Sequence, residues 1–185
     1  VWKGGPGEWD RTSHNWYKYD GSAEPVAFEN DKDLYFIRTG DSTLAVKESN
    51  LVAGNIYVNE NVNVYLTDGT AAGQGVPVTV GNVDVQGNIT VTDVAVTAAS
   101  IHIEEGSTVT ANVTGGRAGF LVGDLSGTGT IVKQGTGSLT LQGTNTDFAG
   151  THRIEGGKLI VDTERSVDAL GANPNVELAG DGGEL

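Results

Sequence analysis

Paired carboxylates are the first groups in this sequence that could do chemistry. Asp31 and Asp33 are two residues apart, and in an extended segment their side chains would share a face. Two carboxylates held close together can divide the acid and base roles of glycoside hydrolysis. They are the catalytic candidates if the chain is an enzyme. However, a chain with 24 acidic residues contains such pairs by chance, so a solvated surface is the main interpretation.

A second candidate is a stripe in which aromatic and amide side chains occupy alternate positions. It consists of Tyr57, Asn59, Asn61, Asn63 and Tyr65. Aromatic faces beside amide donors suit the binding of sugars, which makes the stripe a candidate ligand-binding surface. Asparagines on neighbouring strands can also bond to one another, and that structural role is the main interpretation.

Other catalytic and metal-binding patterns are missing from the sequence. The histidines His14, His102 and His152 have no metal-ligand spacing, and there is no cysteine. No serine lies in a G-x-S-x-G elbow, and no glycine-rich segment continues as a phosphate-binding loop. We therefore predict no metal site, no cofactor and no serine-hydrolase triad.

Short strands must carry these residues, because apolar and polar positions alternate from residue 44 to residue 113. Ile56, Val83, Ile101 and Leu125 occupy equivalent positions, 27, 18 and 24 residues apart. A similar series joins Leu139, Leu159 and Leu178. Each run is too short to bury itself, but stacked turns would share one core. The predicted fold is all-β, a right-handed parallel β-helix, or solenoid.

The chain divides into three parts of one continuous solenoid. Residues 1–50 hold all three tryptophans and form an aromatic-rich N-terminal cap with the first rungs, because large aromatic side chains can cover a bare apolar rung. Residues 51–126 form irregular coils, and residues 127–185 form regular, glycine-punctuated coils. The absence of methionine and the final Gly-Glu-Leu lead us to expect part of a longer protein.

The C-terminal third resembles the passenger-associated repeat of bacterial autotransporters. The residues that carry this resemblance most directly are Gly127, Gly129, Lys133, Gly135, Gly137, Leu139, Leu141, Gly156, Gly157 and Leu159. Asn145 and the Ala169-Leu170-Gly171 run also match that pattern. The opening Trp2-Lys3-Gly4-Gly5, Trp9-Asp10 and Asn15-Trp16 resembles the W-x-G-G…W-D…N-W start of autotransporter-type repeat proteins.

The resemblance implies a passenger domain handled by type V secretion, translocated through an outer-membrane β-barrel. Its location would be extracellular or the bacterial outer-membrane surface. It would act as a display and adhesion scaffold that contacts host glycans or surface proteins, while the C-terminal repeat assists secretion and folding. Self-association through an open end is a further expectation.

The alternative is a β-helical hydrolase that acts on host glycoprotein, such as mucin, or on polysaccharide through surface carboxylates. A spacer without a ligand is a third interpretation. The formal charge of −13 repels phosphate backbones, so nucleic acid is not an expected partner.

Overall fold

The computed structural model describes residues 1–70, 76–114, 119–162, 168–180 and 183–184. Within these residues the secondary structure consists of short β-strands, without a helix. The strands are β1 (Gly5–Trp9), β2 (Lys32–Phe36), β3 (Gly40–Val46), β4 (Leu51–Val58), β5 (Val62–Asp68), β6 (Pro77–Val85), β7 (Asn88–Thr92), β8 (Ala95–Ile103), β9 (Thr108–Asn112), β10 (Gly119–Gly127), β11 (Thr130–Gln134), β12 (Ser138–Leu141), β13 (Thr151–Ile154), β14 (Gly157–Val161), β15 (Asn175–Leu178) and β16 (Gly183–Glu184).

Two parallel sheets contain these strands, and the chain alternates between them. In the described residues, the odd-numbered strands form one eight-stranded sheet and the even-numbered strands form another. We call these the odd sheet and the even sheet. Each strand pairs in parallel with the strand two before it and the strand two after it. The chain therefore returns to the same sheet after each turn, and the predicted parallel β-solenoid is confirmed.

The long strands of the even sheet bend at their middle. In β4 the buried residues Ala53 and Ile56 are three positions apart, whereas inward residues of a flat strand are two apart. The two positions between them turn the corner. The same interruption recurs one turn later in β6, where Gly81 stacks on Gly54 so closely that a Cβ atom would collide with the Gly54 carbonyl oxygen. Each long strand thus contributes to two faces of the solenoid.

Inward side chains form columns along the axis. Ile56, Val83, Ile101 and Leu125 are consecutive partners in the even sheet, as the sequence predicts, and all four are buried. Burying an aliphatic side chain of this size contributes about 1.5–3 kcal/mol, so the columns supply most of the apolar stabilisation.

One predicted column is wrong. Leu139 does pair with Leu159, but Leu178 pairs with Ile154 in the odd sheet and is 62 % exposed. The physical reason is that each turn contains a strand in both sheets. A spacing of about one turn therefore does not decide which sheet a residue joins.

The N-terminal cap is an aromatic cluster over the first rungs. Trp2, Trp9 and Trp16 are all buried, as the capping interpretation predicts. Trp16 lies edge-on to Trp2 with ring centroids 4.9 Å apart, and Trp9 lies edge-on to Phe28 at 5.4 Å. Antiparallel bridges join Trp16 to Trp2 and to Val26. The segments of the cap therefore run antiparallel to one another, whereas the strands of the rungs are parallel. This blocks further parallel pairing at that edge.

Asp10 holds the turn that follows β1. Its carboxylate accepts hydrogen bonds from the backbone N–H and the hydroxyl groups of Thr12 and Ser13. Burial alone would raise the pKa of Asp10, but these four hydrogen bonds outweigh it and lower the pKa below the usual value. In the Trp9-Asp10 pair of the opening sequence, the tryptophan ring is therefore buried in the cap, and the ionised aspartate carboxylate holds the turn that follows.

Outward polar residues also stack from turn to turn. At the even-sheet corner, the Asn55 amide donates to Asp33 Oδ1 at 2.9 Å, and the Asn82 amide donates to Asn55 Oδ1 at 2.8 Å. Ser100 continues the series by donating its hydroxyl to Asn82 Oδ1 at 2.6 Å. We call this series of Asp33, Asn55, Asn82 and Ser100 the corner ladder. It runs in one direction, each residue donating to the one before it.

We expect Asn55→Asp to lower the free energy of unfolding by about 1–2 kcal/mol, because it removes the donor to Asp33 and places two carboxylates in contact. Asn59→Asp is the matched control, since it adds the same charge at an exposed turn. Urea unfolding at neutral pH measures both variants. Equal stability of the two variants would show that the corner ladder has no energetic role.

Candidate functional site

The outward face of the even sheet, beyond the corner ladder, presents one side chain per turn. We call this the face row, and it consists of Tyr35, Tyr57, Asp84, His102 and Ser126. These residues are register partners, so neighbouring members lie about 4.8 Å apart along the axis. The row changes from aromatic to acidic, basic and hydroxyl character along the solenoid.

The aromatic end of the face row is a stack of three rings. Tyr35 and Tyr57 are nearly parallel, with centroids 4.8 Å apart and an interplanar angle of 13°. Tyr19 from the cap packs on the other side of Tyr35 at 4.6 Å. Partial burial, Asp33 and the two neighbouring phenols raise the pKa of Tyr35, so its hydroxyl stays protonated and can donate a hydrogen bond.

The other end of the face row brings together groups that could transfer a proton. His102 Nδ1 lies 2.9 Å from the Ser126 hydroxyl, and His102 Nε2 lies 3.4 Å from Glu104 Oε1. Asp84 is the register partner of His102, and its Oδ1 atom is buried without a hydrogen-bond partner. A hydroxyl, an imidazole and a carboxylate in this order are the groups of a nucleophile, a general base and an orienting acid.

This contact between a histidine and a serine was not predicted from the sequence. His102 and Ser126 are 24 residues apart, which hides the contact from any local pattern. A signal was nevertheless present, because each residue directly follows a member of the predicted column, Ile101 and Leu125. Equivalent inward residues imply equivalent outward neighbours one position later.

The candidate carboxylates Asp31 and Asp33 have different surroundings. Asp33 Oδ1 accepts hydrogen bonds from both the backbone N–H and the side-chain amide of Asn55, so it terminates the corner ladder. Asp31 is exposed in a turn with φ 65°, and its N–H donates to the Val52 carbonyl oxygen. The geometry gives Asp33 a structural role and leaves Asp31 in solvent.

The predicted stripe is divided by a corner. Tyr57 belongs to the even sheet, whereas Asn63 and Tyr65 lie on the odd sheet. Asn59 and Asn61 lie in the turn between them, and Asn61 has a left-handed backbone with φ 61°. The five residues therefore do not share one binding face.

Two asparagines of the stripe, Asn61 and Asn63, line a hollow, and Asn63 also belongs to a ladder of side-chain hydrogen bonds. Asn63 joins a second ladder, donating to Asp41 at 2.9 Å and accepting from Asn88 at 3.0 Å. Asn61 and Asn63 also line a hollow of about 500 Å³ together with Glu60, Gln86, Asn88 and Glu105. This hollow offers amides and carboxylates but no aromatic surface.

The repeat residues of the C-terminal third lie in the stacked rungs, where they are structural. Leu139, Leu141 and Leu159 are buried in the even-sheet columns. Of the glycines in the pattern, Gly127, Gly135 and Gly157 have positive φ, and Gly129, Gly137 and Gly156 lie against neighbouring turns. A Cβ atom at Gly157 would lie 2.8 Å from Lys133 Nζ, so the glycine leaves the space that the lysine occupies.

Lys133 is buried in an inward column of the odd sheet, between Ala111 and Ile154. Its ammonium group bends back to the corner and donates to the carbonyl oxygens of Gln134, Gly135 and Gly156, the last two at 3.0 and 3.3 Å. Burial lowers the pKa of Lys133. The lysine thus satisfies carbonyl groups of two successive turns, which an apolar residue could not do.

Asn145 is a second buried polar bridge. Its Oδ1 accepts from the backbone N–H of Leu125, and its amide donates to the Ala169 carbonyl oxygen. One side chain therefore connects the preceding turn to the following one. The asparagine and the Ala-Leu-Gly run, which are separate parts of the repeat pattern, are in direct contact.

His152 is the third buried polar side chain of these rungs. It occupies an inward column between Ile131 and Val176, and its ring lies 4.9 Å from that of Phe148. Its Nε2 atom is 2.9 Å from the Leu170 carbonyl oxygen, while Nδ1 is buried without a partner. Burial lowers the pKa of His152, and the hydrogen bond to Leu170 only partly opposes this effect. The neutral ring, donating from Nε2, is therefore the form that the core accommodates.

No family model, curated protein or solved structure matches this chain. Within the residues that the structure describes, no helix is long and apolar enough to span a membrane. The same residues contain no group of three or more His, Asp or Glu side chains placed to hold a metal ion.

We expect the free energy of unfolding to fall as the pH drops below 6.5, the ordinary pKa of histidine. His152 has a lower pKa in the folded chain, so the unfolded chain binds the proton first; the stability is present above pH 6.5 and is lost below it. One such group contributes a slope of at most about 1.4 kcal/mol per pH unit. Denaturant unfolding between neutral and mildly acidic pH measures the slope.

His152→Gln keeps a donor for the Leu170 carbonyl oxygen but does not titrate, so its slope should be smaller than that of the unmodified chain. His14→Gln serves as control, because it removes a histidine outside the rungs. Identical slopes in all three proteins would mean that His152 is not the titrating group.

Proposed function

We propose that this chain is a segment of an autotransporter-type passenger, displayed on or secreted from a bacterial surface. Its solenoid acts as a display and adhesion scaffold towards host glycans or surface proteins. Its C-terminal rungs assist secretion and folding by forming a stable, correctly registered end.

The observation that carries this proposal is the set of cross-turn contacts made by the repeat residues. Lys133 and Asn145 bond to backbone groups of neighbouring turns, and Leu139, Leu141 and Leu159 fill the columns beside them. Rungs of a solenoid stabilise their neighbours, so a well-defined end favours growth of the remaining stack. The pattern that resembles a secretion-associated repeat therefore coincides with specific structural contacts.

The adhesion part of the proposal rests on the outer surface. The face row and the corner ladder run side by side along the axis, so aromatic rings, amides and hydroxyl groups are presented on successive turns. Such a surface can contact an extended ligand at several points, and weak contacts add when they are linked.

Leu141→Asp in the full-length protein should reduce both surface display and the protease-resistant fragment. Leu141 is buried, and Leu→Ala at such sites costs about 2–5 kcal/mol before the penalty of burying a charge is added. Thr140→Asp is the matched control, since the preceding residue points outward on the same strand. Surface labelling and limited proteolysis measure both effects. Unchanged secretion of Leu141→Asp would refute the proposed role of these rungs.

A hydrolase is the second candidate function, and the contact of Ser126 with His102 favours it. His102 would take the Ser126 proton as the hydroxyl oxygen attacks an acyl carbon, and Glu104 would stabilise the imidazolium. The proton would then pass to the departing alcohol, and water would release the acyl group. The substrates would be acyl esters of glycoproteins or polysaccharides. We place it second because His102 is 43 % exposed on an open face, where water weakens electrostatic catalysis.

Under the hydrolase mechanism, Ser126→Ala should lower hydrolysis of p-nitrophenyl acetate and of O-acetylated mucin by about 100-fold or more. Ser100→Ala is the control, because it removes a hydroxyl from the adjacent corner ladder. A fluorophosphonate probe should label the unmodified chain and Ser100→Ala but not Ser126→Ala. Equal rates for all three proteins would exclude this mechanism.

A further inference from the structure

A cleft of about 710 Å³ lies beside the aromatic cap, at the end of the solenoid formed by β1 and β2. We call it the cap cleft, and its principal lining residues are Tyr17, Lys18, Tyr19, Ile37 and Arg38. It lies at the opposite end from the rungs that contain Lys133, Asn145 and His152. Neither the corner ladder nor the face-row histidine contributes to it.

The charge of the cap cleft is opposite to that of the chain. The sequence carries a net charge of −13, yet the cleft is lined by Lys18 and Arg38 and by no acidic residue. Neither cation has an ion-pair partner among the described residues. The neighbouring carboxylate of Asp20 accepts a hydrogen bond from the Ser22 N–H at 2.9 Å and forms no ion pair with either cation. The two cations are therefore available to an anionic ligand.

Aromatic surface lies beside these cations. The Arg38 guanidinium carbon is 5.7 Å from the centre of the Tyr17 ring, so the ring holds it by a cation–π contact. Tyr19 is 69 % exposed, but its ring is not loose, because it packs on Tyr35 at 4.6 Å. A large exposed aromatic side chain fixed in one orientation is typical of a binding surface.

Backbone hydrogen bonds hold both ends of the segment that carries Lys18 and Tyr19. Tyr17 N–H donates to the Val1 carbonyl oxygen at 2.7 Å, and Trp16 forms an antiparallel bridge to Val26. Trp16 itself is buried in the cap. Anchored ends lower the entropic cost of ordering this segment on binding, so fewer contacts are needed for measurable affinity.

We infer that the cap cleft binds a carboxylated sugar, and this inference rests on the proposed adhesion role. The sugar carboxylate pairs with the planar guanidinium of Arg38, which can donate two parallel hydrogen bonds, and with Lys18. The apolar face of the sugar ring packs on Tyr19, and the Tyr17 hydroxyl bonds to its hydroxyl groups. A neutral sugar leaves both cations without a partner and binds more weakly.

Two sources supply this chemistry, and one set of titrations distinguishes them. Sialic acid ends many glycoprotein glycans, and uronic acids build acidic polysaccharides. The purified chain is titrated calorimetrically with 3′-sialyllactose, with trigalacturonic acid and with lactose as the neutral comparison. We expect saturable binding of at least one carboxylated sugar, which identifies the source, and no measurable binding of lactose. Added salt should weaken the binding, because the paired charges are near the surface.

Variants locate the site. Arg38→Gln and Tyr19→Ala should each weaken binding of the carboxylated sugar about tenfold or more. Arg153→Gln should leave it unchanged, because Arg153 is a similarly exposed arginine that pairs with Glu155 at 2.7 Å far from the cap. Arg38 and Tyr19 are exposed and each substitution removes one ring contact, so the unfolding midpoint should fall by no more than a few degrees, and this measurement separates lost binding from lost folding.

The inference is overturned if neither carboxylated sugar binds, if lactose binds equally well, or if Arg38→Gln and Lys18→Gln both bind like the unmodified chain. The titration uses purified protein and does not depend on secretion. Its failure therefore removes the cap cleft as the ligand site without removing the display role, which the Leu141→Asp and Thr140→Asp comparison tests separately.

Discussion

Parallel pairing in register between successive turns is the constraint on which the rest of this structure depends. Because a parallel partner lies directly above or below each residue, an inward side chain always meets an inward side chain of the next turn. The same rule applies outside. It produces the corner ladder, the Tyr35–Tyr57 stack and the contact between His102 and Ser126. Residues that are 18 to 27 positions apart in the chain thereby become neighbours.

In the middle of the stack every strand has a partner on both sides, so its backbone groups are paired and its inward side chains are covered. A strand at either end has a partner on one side only, which leaves backbone groups unpaired and apolar side chains uncovered. The N-terminal end meets this need with buried tryptophans and a segment that runs antiparallel. The cap also creates the chemistry that the regular rungs lack. Repeating turns place similar residues in rows. The cap instead brings the segment that contains Tyr17, Lys18 and Tyr19 next to Arg38, which follows β2. Irregular structure at the end of a regular scaffold is therefore where a specific small-ligand site can form.

Alternation of apolar residues was sufficient to predict the strands, the parallel stack and the Ile56–Val83–Ile101–Leu125 column. The same alternation places His152 inward, since Thr151 and Arg153 must point outward, although the sequence alone did not show that a histidine would be tolerated there. The spacing between leucines wrongly placed Leu178 in the column of Leu139 and Leu159, because a separation of about one turn does not show which of the two sheets a residue joins. Spacing also failed for Tyr57 and Asn63, because nothing in the polar run identifies Asn61 as the corner. The cap cleft could not be predicted, because it depends on how residues 17–23 fold over residues 37–38.

The distribution of buried polar groups explains why the last rungs differ from the middle ones. Between Thr43 and Gly106 no polar residue of the described chain is fully buried, so the register there is set by the alternation of inward and outward residues and by the outward ladders. Lys133, Asn145 and His152 each require a particular carbonyl group of a neighbouring turn. Such groups add little net free energy when paired, but each leaves a buried donor unsatisfied in any other register. The C-terminal rungs therefore have buried polar contacts that specify their register in addition to the apolar columns. Under the proposed passenger role, a specified register is the property expected of rungs that assist folding, because each turn pairs in register with the turn beside it.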